Sequence, residues 1–201
     1  MPAKSRSTPP HYILFHKPYG VLSQFTDKSG RKTLSDFGPF PRDIYPVGRL
    51  DADSEGLLLL TNDSRTKHRM LEPGFAHWRT YLVQVDGIPT EEELATLRTG
   101  VVIEGVRTKR ARAELLRQEP DMPTRQVPIR FRKNIPTSWL EISLTEGRNR
   151  QVRKMTAAVG HPTLRLVRTR IGVLALDDLE PGQHRKLSDS EIRSLLLSLS
   201  D

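Results

Sequence analysis

The sequence predicts an α+β chain built on a largely antiparallel sheet with helices packed against it. Three observations lead there. Two stretches alternate with period two, Tyr81, Val83 and Val85 in one and Leu140, Ile142 and Leu144 in the other, as half-buried strands do. The run Leu57 to Leu60 is short and unbroken, the pattern of a strand covered on both faces. From Tyr81 onward the patterns follow one another as strand, helix, hairpin, strand, helix, strand, an order that suits antiparallel pairing with helices laid on the sheet.

The elements follow in order. Residues 1 to 10 are Pro/Ser-rich and lack the apolar core of a signal peptide, so they are expected to form a disordered tail. His11 to Phe15 is an apolar strand, stopped by His16-Lys-Pro-Tyr-Gly20, with Pro18 and Gly20 marking a turn. Val21 to Phe25 resumes an extended pattern, and Thr33 to Phe37 is a short amphipathic piece. After the leucine run, Asp63 is placed to cap a helix over Arg65 to Leu71. Arg79 to Val85 is a strand ended by Gly87 and Pro89. Thr90 and Glu93 form a capping box that opens a helix to Thr99, closed by Gly100. Residues 101 to 116 read as one hairpin turning near Glu104-Gly105, and 120 to 136 as a long Pro/Arg-rich loop carrying Arg125, Arg130, Arg132 and Lys133. Trp139 to Leu144 is a strand. A helix opening near Arg148 buries Val152, Met155, Thr156 and Val159, puts Arg150 and Lys154 on its far side and leaves Arg153 at the border. A strand ends near Ile171, residues 178 to 185 turn, and a helix over 188 to 199, capped by Ser188 or Ser190, closes the chain.

With 201 residues and 36% hydrophobic content the chain can bury a real core, as one domain or two closely packed subdomains. It has no cysteine, which excludes disulfides and thiolate metal sites and fits a reducing cytoplasm. No apolar run approaches the roughly 20 residues that span a bilayer. The net charge is +8, and residues 107 to 170 alone hold 16 Lys/Arg against 5 Asp/Glu, so the remainder of the chain is slightly acidic. A basic region confined in this way, rich in arginine, suits a polyanionic partner, most simply nucleic acid.

Three carboxylates, Asp51, Asp53 and Glu55, crowd the segment before the leucine run. Carboxylates beside a core need partners or a purpose, since burying an unpaired charge costs several kcal/mol. Residue types alone do not rank the three.

Four strings carry a resemblance. They are His16-Lys-Pro-Tyr-Gly20; Gly48-Arg-Leu-Asp51 followed by Ser54-Glu-Gly-Leu-Leu58; Arg79-Thr-Tyr81; and Glu146-Gly-Arg-Asn-Arg-Gln-Val-Arg-Lys-Met155 with Val159-Gly-His-Pro-Thr-Leu-Arg-Leu166. In this order they resemble the motifs of the RNA pseudouridine synthases of the RsuA family, over residues 12 to 187. His16 stands where that family has Asn, and Arg79 where it has Lys. Gln24 to Leu34 and Ile135 to Leu140 look most like the RluE subgroup, which modifies one uridine of 23S rRNA and lacks the N-terminal S4 domain. The resemblance implies an extended mixed sheet in two subdomains, about 11–78 and 79–187, with the active cleft between them and a C-terminal helix. It implies Asp51, Tyr81 and Arg153 as catalytic residues, with Asp51 as nucleophile or base, Tyr81 stacked on the uracil and Val152 lining the base pocket. Arg49, Arg148, Arg150, Lys154 and Lys17 are the further substrate-binding candidates, with Lys17 first a support for the catalytic loop. The expected partner is 23S rRNA or a large-subunit assembly intermediate, met by a monomer without metal or cofactor.

The chemistry fits the residue types. Breaking the glycosidic bond of uridine, turning the base and rejoining it through C5 needs no redox step, and one ionised carboxylate suffices. Attack at C1′, attack at C6 and a glycal route all stay open. An Asp among leucines would tend to stay protonated. An Arg153 about 4 Å away would oppose that with roughly 4 kcal/mol at an effective dielectric of ~20. The target base must be flipped out of its stack, and the loop 121–136 with the helix from Arg148 is expected to grip the RNA backbone. A non-catalytic basic RNA-binding protein is the competing reading. A two-carboxylate glycosidase is disfavoured by the positive charge and the 6% aromatic content.

Overall fold

The computed structural model describes residues 9–129 and 135–200. Most of the expected N-terminal tail, and Arg130, Arg132 and Lys133 of the basic loop, lie outside the described residues.

The strands are β1 (Tyr12–Lys17), β2 (Tyr45–Pro46), β3 (Glu55–Thr61), β4 (Arg79–Asp86), β5 (Val102–Ile103), β6 (Val106–Arg107), β7 (Arg112–Leu115), β8 (Thr137–Leu144), β9 (Thr163–Ile171), β10 (Leu174–Ala175) and β11 (His184–Lys186). The helices are α1 (Ser64–Leu71), α2 (Glu91–Thr99), α3 (Gln151–Ala158) and α4 (Asp189–Ser198). One mixed sheet runs β11-β1-β3-β9-β4-β8-β7, with β2 added on β3 and β10 on β9. Of the described strand pairs in it, β3–β9 is parallel and the others are antiparallel. The α+β arrangement expected from the patterning is therefore present.

The leucine run explains one half of the sheet. Leu57, Leu58, Leu59 and Leu60 are all fully buried. Leu57 and Leu59 pack with Tyr12, Leu14, Met70 of α1 and Leu195 of α4. Leu58 and Leu60 pack on the other face with Ile13, Phe15, Leu34 and Ile44. Each such side chain contributes about 1.5–3 kcal/mol relative to exposure. On the other half, Val83 and Val85 of β4 and Leu140 and Ile142 of β8 face Leu94 and Leu97 of α2 and Met155 of α3. The caps are where the sequence places them: Asp63 accepts from the backbone N–H groups of Arg65 and Thr66. Thr90/Glu93 and Ser188/Glu191 form capping boxes.

Three expectations are corrected. Residues 101–116 are not one hairpin. β5 and β6 form a short one around Glu104-Gly105, both at positive φ, while β7 departs and pairs with β8 in the main sheet. The turn expected over 178–185 ends in β11, which takes the free edge of β1. The helix expected from Arg148 begins at Gln151, because Arg150 adopts a left-handed conformation (φ 53°, ψ 33°) and Gln151 holds the preceding turn by accepting from the Arg148 N–H and donating to Glu146.

The two halves of the sheet meet at β3 and β9, where Glu55 lies opposite Val167 and Gly56 opposite Arg168. Gly56 is essential to that approach. A Cβ there would lie 2.3 Å from the Arg168 carbonyl oxygen and 2.6 Å from its amide nitrogen, and φ is +105°. Gly105 has a similar φ of +78° but opens onto free space. A left-handed conformation alone costs a side chain roughly 1–2 kcal/mol. We therefore expect Gly105→Ala to lower the unfolding free energy by about that amount. Gly56→Ala should cost more than about 4 kcal/mol, or leave no folded protein, because backbone cannot yield as a side chain can. Denaturant unfolding of the two variants side by side checks this, and equal losses would show that the junction tolerates separation.

Candidate active site

The segment from Val47 to Ser54 is anchored along its backbone. The Val47 N–H donates to Leu59 O (2.8 Å), and the Ser54 N–H donates to Asp51 O (3.0 Å), closing a turn. The 17–23 segment grips it from outside. Ser23 Oγ donates to Leu50 O (2.8 Å) and accepts from the Leu50 N–H (3.0 Å), while the Gly20 N–H donates to Ala52 O (2.7 Å). Asp51 is thus held by bonds to the residues on either side of it, and its side chain projects into a cleft of about 730 Å³.

Arg49, Asp51, Tyr81, Arg148, Arg150 and Val152, all singled out from sequence, line this cleft. Tyr81 stands on β4 beside Val152 of α3 and Leu166 of β9, at the edge of the second core. Arg49 is exposed at the rim and makes no ion pair among the described residues. Arg168 lines the cleft as well, from β9.

The ion pairs differ from expectation. Arg153 does not pair with Asp51. Its Nη2 donates to the backbone oxygen of Asp53 (2.6 Å), and its Nε lies 3.5 Å from Asp53 Oδ2. Arg150 reaches the loop instead. It donates twice to the Asp53 carboxylate (3.0 and 2.8 Å), and its Nη1 lies 3.5 Å from Asp51 Oδ2. The cause is the late start of α3: the left-handed turn at Arg150 swings its side chain toward the loop instead of along a helix face. Asp51 itself is not held among leucines, since 40% of its side chain is accessible. A buried pair worth several kcal/mol is then neither present nor needed, because water screens the charge. Burial works to raise the pKa of Asp53, but the Arg150 hydrogen bonds and the charges of Arg153 and Arg150 outweigh it, and the carboxyl titrates below its ordinary range. Glu55 is fully committed, since Arg165 donates to both its oxygens (3.0 and 2.9 Å) with both side chains buried.

Other candidates are occupied differently. Arg148 donates to the carbonyls of Val106 (3.2 Å) and Ile103 (3.1 Å), and Lys154 pairs with Glu104 (2.7 Å), so both tie the β5–β6 hairpin to α3. Lys17, a substrate-binding candidate, is completely buried and lies outside the cleft lining. Its ammonium donates to the carbonyls of Pro18 (2.9 Å), Val21 (2.7 Å) and Ala52 (3.5 Å), tying the motif turn to the catalytic loop.

Residues 11–158 match the family model for RNA pseudouridylate synthase. The chain belongs to that family. It is 51% identical over 176 residues to ribosomal large subunit pseudouridine synthase E of Vibrio vulnificus, covering 88% of this chain and 74% of that one. It is 52% identical over 171 residues to the enzyme of that name from Xanthomonas axonopodis pv. citri, covering 84% and 90%. A crystal structure of a pseudouridylate synthase superposes with a TM-score of 0.77 at 31% identity, covering 92% of this chain and 74% of that one.

Two residues at or beside the cleft have no place among the sequence candidates. Ser23, in a loop, carries no pattern that would reveal its hold on Leu50. Arg168 does carry one: it shares strand parity with Leu164 and Leu166, so a cation falls where the alternation calls for an inward side chain.

Lys17 makes a measurable contribution. Burial pushes its pKa from 10.5 down to about 8, opposed by Glu55, Asp53 and Asp51. Below that value folded and unfolded chains both hold the proton, and the cost of burying the charge is fully present. Between about 8 and 10.5 the unfolded synthase binds the proton more tightly, so stability rises with pH across that window and then levels off. Wild type should therefore gain about 3 kcal/mol of unfolding free energy on Lys17→Met as the pH is raised through it. Parallel curves for the two proteins would place the proton elsewhere.

Proposed function

We propose that this synthase converts a uridine of 23S ribosomal RNA to pseudouridine, with Asp51 as the reacting carboxylate. One observation carries the assignment. Of the three carboxylates in the motif, Glu55 is buried against Arg165 and Asp53 is held bidentately by Arg150, while Asp51 presents a part-exposed oxygen pair to the cleft. The choice of 23S rRNA is supported by the relatives named as large-subunit synthases and by the concentration of basic residues between 107 and 170.

The residues divide the work as follows. The flipped uracil stacks on Tyr81 with Val152 and Leu166 as apolar walls, at a stacking loss of a few kcal/mol. Arg49 at the rim meets the RNA backbone, which makes binding weaken with salt. Asp51 acts at the sugar or the base by any of the three routes while the glycosidic bond is open. Tyr81 is placed to receive the C5 proton. Arg150 and Arg153 hold the loop through Asp53 and keep positive charge beside Asp51.

The test is tritium release from 23S rRNA transcript labelled with [5-³H]uridine. Wild type should release the label, and Asp51→Asn, which preserves the side chain's shape, should release it at least ~10³-fold more slowly with an unchanged unfolding midpoint. Equal release by both proteins would remove Asp51 from the chemistry. Salt-sensitive RNA binding by wild type without release, on transcript and on large-subunit particles alike, would make the protein a binding module.

A further inference from the structure

Among the described residues, Arg168 is a buried cation without a counter-charge. It is 4% exposed, and its Nε donates to the Leu57 carbonyl (2.9 Å), while its Nη2 is buried and finds no hydrogen-bond partner among them. Burial works against its charge, with Arg79 adding to it, and the Tyr81 hydroxyl beside it works in favour by its charge and as a hydrogen-bond neighbour, without outweighing the burial. The other buried arginine of β9, Arg165, has a carboxylate held in two hydrogen bonds. A buried, unsatisfied guanidinium nitrogen on a residue that lines a cleft calls for an acceptor that arrives with the ligand. Among the lining groups, Tyr81, Val152 and Leu166 belong to one apolar cluster, which suits a nucleobase better than a phosphate.

We propose that Arg168 is a catalytic residue that donates to a carbonyl oxygen of the flipped uracil and stabilises the base as it leaves C1′. This rests on the function proposed above. When the C1′–N1 bond breaks, its electron pair goes to the base, and the negative charge spreads over N1, O2 and O4. A buried guanidinium held by the Leu57 carbonyl stabilises that charge more than it stabilises neutral uridine. C5 then supplies the electron pair for the new bond to C1′, the C5 proton is lost, and N1 gains one. Uridine and pseudouridine are isomers, so the step balances without a co-reactant.

The test is single-turnover consumption of the target nucleoside, read by nucleoside mass spectrometry, in RNA carrying either uridine or 5-fluorouridine at that position. Fluorine makes the departing base a better anion, which needs the guanidinium less. Arg168→Gln should consume uridine about 10²–10³-fold more slowly than wild type, the range seen when one transition-state donor is removed. Its deficit on 5-fluorouridine should be at least tenfold smaller. Its unfolding midpoint should be unchanged or raised, because an uncompensated buried charge has been removed. Arg168→Met is read the same way if the glutamine variant does not fold. Equal deficits on both substrates, or no deficit, would overturn the role while leaving the synthase activity of wild type intact. Failure of wild type to consume either substrate would instead count against the underlying function.

Discussion

The parallel contact between β3 and β9 is the constraint on which the rest of the molecule depends. It spans only two residue pairs, yet it joins the clusters on the two faces of the leucine run to the one on β4 and β8. Three of the groups proposed to meet the uridine are placed from it. Asp51 precedes β3 by one turn, Arg168 lies on β9 at the contact itself, and Tyr81 lies opposite Arg168 on β4. The strands can approach because Gly56 has no side chain, and the buried Glu55–Arg165 pair spans the same seam. A pair of this kind is weak evidence for stability, since its desolvation offsets most of its attraction. Its geometric effect is stronger: a one-residue slip would leave two buried charges alone, so it specifies register.

The motif's three carboxylates make sense as a division of labour. A single Asp in this loop would attract the arginines at the start of α3, and a carboxylate held bidentately is a poor nucleophile or base. Asp53 takes up that role. It binds Arg150 through its side chain and Arg153 through its backbone oxygen, which fixes the loop. Asp51 keeps its oxygens toward the cleft, with Arg150 at 3.5 Å as a neighbouring charge. The arginines thus act on Asp51 through loop position and local potential, not through a closed ion pair.

Much of the fold was legible because it rests on local rules. The alternations at Tyr81–Val85 and Leu140–Leu144, the run at Leu57–Leu60 and the capping residues Asp63, Thr90 and Ser188 each act over a few residues. What was illegible depended on backbone choices with no local signature. Whether Arg150 or Arg153 reaches Asp51 turns on a single left-handed residue, and arginine is not a residue that announces φ of +53°. β7 reads as the second arm of a hairpin because its true partner, β8, is more than twenty residues away along the chain. For Lys17 the motif resemblance implies a support of the loop first and a substrate contact second; no periodicity shows that the carbonyls holding it come from the turn after it and the loop around Asp51.

The three buried cations near the seam show how burial separates support from chemistry. Lys17 is surrounded by carbonyl oxygens, which satisfy its donors but do not cancel its charge, and its pKa falls accordingly. Arg165 meets a full carboxylate, and its guanidinium also reaches the Pro123 carbonyl, so its charge is balanced within the fold. Arg168 has one carbonyl and a buried nitrogen without a partner. A protein folded only for stability would place a leucine at that position on β9, where Leu164 and Leu166 already set the pattern. A cation kept there at several kcal/mol of desolvation makes physical sense if its acceptor arrives from outside. The part of the cleft where Tyr81, Val152 and Leu166 set apolar surface beside the Arg168 guanidinium matches a base that becomes an anion for part of the reaction.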